Sequence, residues 1–309
     1  MPFKAGNPMP VTVTTTPALS GPAQPVYVVD APPAVAGRAQ RVVAVAGGPI
    51  KNGAAIPVYN AGADALFTDD PPLPVYVMSG SLGDAAPATL LNDLVAYWKL
   101  DEASGARADS AGANTLTDNN TVLGATGKIG LGALFAAATT EYLSSADNAA
   151  LSMGDFDFTI GLWFNATTSL TQRTLIAKGD GNTSNATEYA LYLTVGSLQF
   201  DVMNGSATGS IASAALSLST WYYALAWYDA TANTVNLKIN NVAVTPVSYG
   251  GGSYDSTHPF NIGRWPVFNL WYYDGIIDEV GIWKRKLTDA EQTALYNSGN
   301  GRSWPFVGA

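Results

Sequence analysis

The chain has 309 residues, 47% hydrophobic and only 13% charged, a length that allows two domains or one large domain with an appendage. Fifteen Lys and Arg against 24 Asp and Glu give a net charge of −9, which argues against a surface that tracks nucleic-acid phosphates. Cys is absent and His258 is the one His, which excludes disulfides, thiolate ligands and thiol nucleophiles and forces any His-dependent triad through that residue.

The opening of the chain is broken by Pro2, Pro8, Pro10 and Pro17, which predicts no secretory signal peptide. No run approaches the roughly 20 apolar residues of a membrane span. Fourteen of the 18 Pro lie in residues 1–87, whereas all eight Trp lie between Trp98 and Trp304. Proline blocks helices and central strands, while Trp supplies large buried area. The composition therefore divides the chain into residues 1–87 and 88–309.

A phrase recurs in the first part, at Pro25-Val26-Tyr27-Val28, Pro57-Val58-Tyr59-Asn60 and Pro74-Val75-Tyr76-Val77. Each places Pro at the start of a β-branched or aromatic run, where an edge strand tolerates it. The spacings of 32 and 17 residues exclude a regular solenoid. With no Trp, this segment reads as an extended Pro-rich β arm or small β domain that cannot enclose a core alone. Its strands are expected to pair with another subunit or a lattice, which makes it an arm for anchoring and oligomerisation. A flexible linker is the simpler alternative.

The second part predicts strands at Val95–Leu100, Ala133–Phe135, Phe158–Phe164, Thr174–Lys178 and Tyr189–Leu193. More are predicted at Ser197–Val202, Tyr222–Tyr228, Thr234–Ile239, Phe260–Gly263 and Ile276–Trp283. Turn signals such as Asn204-Gly205 and Asn240-Asn241 separate them. Many short, evenly spaced strands imply an all-β, two-sheet antiparallel sandwich. One helix is expected near the end, because Thr288-Asp289-Ala290-Glu291 is a capping box. Ala290, Ala294 and Leu295 are expected to face the sandwich, with Gly299 as the stop.

The run Leu94–Asp101, the pair Asp109-Ser110, Gly127-Lys128-Ile129-Gly130, Phe158–Trp163 and the closing stretch Tyr273–Gln292 together resemble the laminin-G-like, concanavalin A-like jelly-roll family of bacterial and phage proteins. The resemblance covers about residues 90–300. It implies a jelly-roll sandwich, often with one structural calcium near the rim, that binds glycans or proteins or serves as a rigid spacer. The arm phrases resemble segments of tailed-phage virion proteins.

Concanavalin A-like folds include glucanases, which need two carboxylates on one face about 5 Å apart for retention. The five Glu (Glu102, Glu141, Glu188, Glu279 and Glu291) are isolated from one another. Asp278 and Glu279 are adjacent and on a regular strand would point to opposite faces. Asp155 and Asp157 share a face but precede the core strand. No Gly-x-Ser-x-Gly elbow occurs, His258 reads as a loop residue, and the glycine-rich stretch Gly124–Gly132 lacks the Lys-Ser/Thr of a phosphate loop. Asn165-Ala166-Thr167, Asn182-Thr183-Ser184 and Asn204-Gly205-Ser206 read as turn chemistry. No catalytic residue is expected.

By the resemblance, a calcium would be held by Asp109 and Asp278, with Asp101 as a third ligand; otherwise Asp109 makes an Asx-turn and Asp278 bonds a neighbouring loop. Sugar rings stack on exposed aromatics, and Arg264, Trp265, Trp271 and Tyr272 form the richest candidate. Alternatively these rings are core, with Trp271 packed under the helix. Trp163, Trp227 and Trp283 lie in strands and read as core. The expected function is a structural virion protein of a tailed bacteriophage, a capsid decoration or fibre-type component. It would be made in the host cytoplasm and displayed on the virion surface. Expected partners are other virion subunits, further copies of the chain and host surface glycans, with neither nucleic acid nor membrane, and no cofactor is required. The alternative is a carbohydrate-binding module of a bacterial secreted or surface protein.

Overall fold

The computed structural model describes residues 88–168, 170–179, 187–266 and 270–306. The arm residues Val26, Tyr27, Val28, Val58, Tyr59, Val75, Tyr76 and Val77 lie outside them.

Sixteen strands occur among the described residues. In chain order they are β1 (Leu94–Trp98), β2 (Thr117–Asn119), β3 (Leu123–Thr126), β4 (Leu131–Phe135), β5 (Tyr142–Ser145), β6 (Phe158–Ala166), β7 (Arg173–Gly179) and β8 (Thr187–Thr194). There follow β9 (Ser197–Met203), β10 (Thr208–Ala215), β11 (Tyr222–Asp229), β12 (Thr234–Ile239), β13 (Val242–Ala243), β14 (Val247–Ser248), β15 (Phe260–Ile262) and β16 (Gly275–Trp283). A nine-stranded sheet runs β13-β12-β11-β6-β16-β4-β3, with β1 also on β16 and β14 on β12. A seven-stranded sheet runs β10-β9-β8-β7-β15-β5-β2. The ladders are antiparallel, as the sequence predicts for a jelly-roll sandwich. Two tight hairpins have both central residues left-handed: Asn240-Asn241 (φ 50° and 63°) and Val195-Gly196 (φ 49° and 82°), the geometry that matches strand twist.

Between the sheets lie the inward side chains of both. Trp98 stacks on Phe260 at 5.2 Å, and Phe158 meets Tyr189, Phe200 and Tyr228. A second apolar layer covers the outer face of the nine-stranded sheet. There Tyr97, Trp163, Tyr223, Trp283, Leu295 and Phe306 pack together. Trp163, Trp227 and Trp283 are buried as expected, but in this outer layer; the Trp between the sheets is Trp98.

The sequence reading missed β2, β3, β5, β10 and the two-residue strands β13 and β14. The burial of β10 alternates over its first four residues, yet its sequence, Thr208-Gly209-Ser210-Ile211-Ala212-Ser213-Ala214-Ala215, carries one large apolar side chain. Small residues suffice there because Gly209 lets Tyr249 and Val235 approach closely. The glycine-rich stretch Gly124–Gly132 forms the turn and inner ends of the β3–β4 hairpin.

The helix α1 (Asp289–Tyr296) begins with the expected capping box. Ala290 is exposed, contrary to expectation; Ala294 and Leu295 are buried together with Glu291 and Gln292. The stop is Asn297, left-handed at φ 47°, ahead of Gly299. Glu291 is 1% exposed and takes both guanidinium arms of Arg285 at 2.7 and 2.8 Å, the Thr89 hydroxyl at 2.6 Å and the Thr288 N–H at 2.8 Å. Burial alone would raise its pKa, but Arg285, Thr89 and Thr288 outweigh it and hold the carboxyl at about 2. Glu291→Ala removes a cap and half of a buried ion pair. It is expected to destabilise the chain by about 2–3 kcal/mol in denaturant unfolding, with Glu291→Gln recovering part of the loss.

Candidate functional site

Strand alternation sends Tyr189, Leu191 and Leu193 of β8 into the core and Ala190 and Tyr192 to the opposite, outer face of the seven-stranded sheet. On that face lies an excursion of the chain between β15 and β16. Ile262 is in the core, and Gly263 then turns left-handed (φ +87°) at a point where a Cβ would stand 2.6 Å from the Phe135 ring. The chain crosses outward at Arg264 and Trp265 and returns at Leu270, which bridges Trp265. Trp271 is itself left-handed (φ 56°) and its carbonyl accepts from Thr174 N–H at 2.8 Å. Tyr273 re-enters the core fully buried.

This excursion gathers the predicted aromatics. Tyr192, Trp265 and Trp271 form a three-ring cluster, with centroids 5.3, 5.7 and 5.1 Å apart. Trp265 and Tyr192 are each 8% exposed, whereas Trp271 is half-buried. Trp265 is thus a floor and Trp271 the accessible ring. Trp271 packs on the seven-stranded sheet and not under the helix, where Tyr296 stacks on Trp163 instead. Alongside, the Arg264 guanidinium lies 3.6 Å from the centre of the Tyr142 ring, donates to Asn261 Oδ1 at 3.1 Å, and Tyr272 flanks Tyr142 at 6.3 Å. Arg264, Tyr142 and Tyr272 are half-buried. The four predicted residues thus share one face, joined by Tyr142 and Tyr192, which sequence reasoning missed. Tyr192 was hidden because alternating apolar residues on both faces make β8 read as a core strand.

Polar groups border the rings. Asp201 accepts from the Tyr192 hydroxyl at 2.9 Å, from Ser210 at 2.6 Å and from Gln199 at 3.0 Å. Burial, followed by the neighbouring Asp201 carboxylate, pushes the Tyr192 hydroxyl well above its ordinary pKa. It stays a neutral donor.

The three predicted calcium ligands are divided. Asp109 organises a turn: Oδ1 accepts from the N–H groups of Tyr97, Ala111 and Gly112, and Oδ2 from Asn114 N–H and its side-chain amide, at 2.9–3.0 Å. Asp101 accepts from Leu131 N–H at 2.9 Å and pairs with Lys99 at 3.0 Å. Asp278 Oδ2 accepts from Lys128 and Ile129 N–H at 2.7 and 2.9 Å. The structure therefore brings Asp101 and Asp278 to the β3–β4 turn and leaves Asp109 elsewhere. Among the described residues no three His, Asp or Glu side chains converge as metal ligands. The glycine-rich turn does cradle an acidic group with its backbone N–H groups, and that group is the chain's own Asp278 carboxyl.

Asp278 and Glu279 do not point to opposite faces. A bulge shifts the register between Asp278 and Gly281, and Glu279 is left-handed at φ 51°. Ile277, Val280 and Ile282 point inward, so both acids face the outer layer of the nine-stranded sheet. They are 0% and 4% exposed. Glu279 accepts from the Tyr97 hydroxyl, while Asp278 Oδ1 and Glu279 Oε1 have no hydrogen-bond partner. Asp155 and Asp157 are engaged structurally, by the Tyr228 hydroxyl at 2.9 Å and Ala230 N–H at 2.8 Å.

The two-sheet antiparallel sandwich with one short C-terminal helix is a jelly roll. Residues 137–291 match the family described as the concanavalin A-like lectin/glucanases superfamily, and the chain belongs to that family. No curated protein matches the sequence. The fold is similar to the binding domain of Paraclostridial mosquitocidal protein 1, with TM-score 0.53, 16% identity, and coverage of 66% of this chain and 52% of that one. It is also similar to the botulinum neurotoxin serotype D ligand-binding domain solved with N-acetylneuraminic acid, with TM-score 0.53, 11% identity, 68% of this chain and 52% of that one. Domain 4 of AbnA, a GH43 extracellular arabinanase from Geobacillus stearothermophilus solved with arabinotriose, gives TM-score 0.50, 19% identity, 68% of this chain and 98% of that one. The chain spans about half the length of the two toxin domains.

The buried acid pair sets a pH dependence. Burial first, then the neighbouring acids, raise Asp278 to about 7 and Glu279 to about 8, against Lys128, Ile129 and Tyr97, which donate to them. In the unfolded chain both ionise near 4, so between there and pH 7–8 unfolding releases protons and stability falls as pH rises. The melting temperature is expected to be higher at about pH 5 than at about pH 8.5. The double substitution Asp278→Asn, Glu279→Gln should flatten that slope, and an unchanged slope would count against protonated acids.

Proposed function

We propose that residues 88–309 form a non-catalytic carbohydrate-recognition module that seats a sugar ring on Trp271 at the outer face of the seven-stranded sheet. The observation that carries this reading is the excursion from Gly263 to Tyr273, which lays Trp271 over a buried Trp265–Tyr192 floor with Arg264, Tyr142 and Tyr272 beside it. Flat apolar rings take the C–H face of a sugar, and flanking amide, hydroxyl and guanidinium groups take its hydroxyls. Membership of a lectin and glucanase family supports the ligand class, as do the arabinotriose and N-acetylneuraminic acid complexes of two structural neighbours. The burial of Asp278 and Glu279 supports a binding role, since a glycosidic oxygen cannot reach either acid.

Binding of the intact chain to a glycan array, followed by titration of the best ligand, tests the reading. Trp271→Ala is expected to weaken binding about tenfold, the order of one lost ring-stacking contact, with little effect on melting. Trp265→Ala should lower the melting temperature as well. Undiminished affinity in Trp271→Ala would remove the site.

The finer reading places this module on the surface of a tailed-bacteriophage particle, as a capsid decoration or fibre-type component. Residues 1–87 would anchor it through strand pairing with virion subunits and with copies of itself. What supports it is the repeated Pro-Val-Tyr phrase in an apolar segment with no Trp. Light-scattering mass is expected to show an oligomer for residues 1–309 and a monomer for residues 88–309. Two monomers would favour the module of a bacterial secreted or surface protein.

A further inference from the structure

Lys178, near the end of β7, has no exposed surface. Its ammonium lies 2.5 Å from Glu188 Oε1, 2.7 Å from Asp147 Oδ1, 3.0 Å from the Ser256 carbonyl and 3.2 Å from the His258 carbonyl. These oxygens come from β8, from the loop after β5 and from the loop before β15. Glu188, also 0% exposed, further accepts from Met153 N–H and from both the N–H and hydroxyl of Ser256, each at 3.0 Å.

The cage does not match the cation inside it. An ammonium has three N–H donors, and four oxygens converge on this one. Two carboxylates face one positive charge, Glu188 fully buried and Asp147 reaching in from a side chain 32% exposed. Burial accordingly raises the Glu188 carboxyl, with Lys178 opposing. Two carboxylates and two backbone carbonyls are what a hard divalent cation selects, and a charge of +2 would balance the pair.

We propose that Asp147, Glu188, Ser256 and His258 form a hard-cation site occupied by the chain's own Lys178 ammonium, so that emptying it creates a calcium site. The tethered charge clamps two loops onto the paired strands β7 and β8 at one rim of the sandwich. That clamp needs no metal supply and does not respond to chelators. It is independent of the aromatic face.

The test is thermal melting of the intact chain and of Lys178→Ala, each in chelator and in calcium. The parent protein is expected to melt at the same temperature in both. Lys178→Ala should melt lower in chelator and regain stability saturably with calcium, binding one ion per chain by calorimetry. Lys178→Met, whose stem fills the cage, and Lys178→Ala with Glu188→Gln should show no calcium response. If Lys178→Ala is unfolded in chelator, refolding it from denaturant in calcium is the second measurement, and recovery is expected. The proposal is overturned if Lys178→Ala melts equally in both buffers, or fails to refold in calcium. A calcium response of equal size in the parent and the variant also overturns it.

Discussion

Strand β16 is the constraint on which the rest of the sandwich depends. It ladders with β6 along most of its length, with β4 at Gly275–Ile277 and with β1 at Val280–Trp283. It therefore joins the first, middle and last parts of the described chain in one sheet. Both of its faces are buried, by the core between the sheets and by the layer under α1 and the closing segment. A strand buried on both sides has no room for a charged residue, yet this one carries two consecutive acids. The bulge at Glu279 resolves the conflict by turning both acids to one side, where the β3–β4 turn and Tyr97 supply donors.

The aromatic residues divide among three layers. Trp98, Phe158, Phe200 and Phe260 fill the space between the sheets. Trp163, Trp227 and Trp283 support the layer under the helix. Trp265 and Trp271 stand on the outer face of the other sheet. No burial preference of Trp as a residue type tells these positions apart; the face on which each ring stands does.

Much of the fold was legible because periodicity and turn chemistry agree locally. The long strands from β6 to β9, β11, β12 and β16 are dense in β-branched and aromatic residues, and Thr288 with Glu291 marks the helix start without ambiguity. β10 and the β3–β4 hairpin were illegible because their neighbours, not their own side chains, supply the apolar surface. Of the aromatic face, Arg264, Trp265, Trp271 and Tyr272 could be read from one dense run. Tyr142 and Tyr192 lie 122 and 72 residues upstream of Arg264, where that run begins, and only sheet pairing unites them with it. The carboxylate pair was misread because one left-handed residue overturns the period-two rule. Lys178 and Glu188 escaped notice since a single charge at either end of an apolar strand ordinarily marks its exit to solvent.

The excursion between β15 and β16 leaves the core at Ile262 and rejoins it at Tyr273. Its ends are fixed by Gly263, which donates to Leu175 and accepts from Tyr273. Between these anchors the Trp271 carbonyl holds the chain to β7 by accepting from Thr174 N–H. Exchange of residues 264–272 would alter the chemistry of the outer face while the ladders on both sides keep their register. The two anchors thus bound a nine-residue cassette and mark where a foreign loop could be spliced into this scaffold.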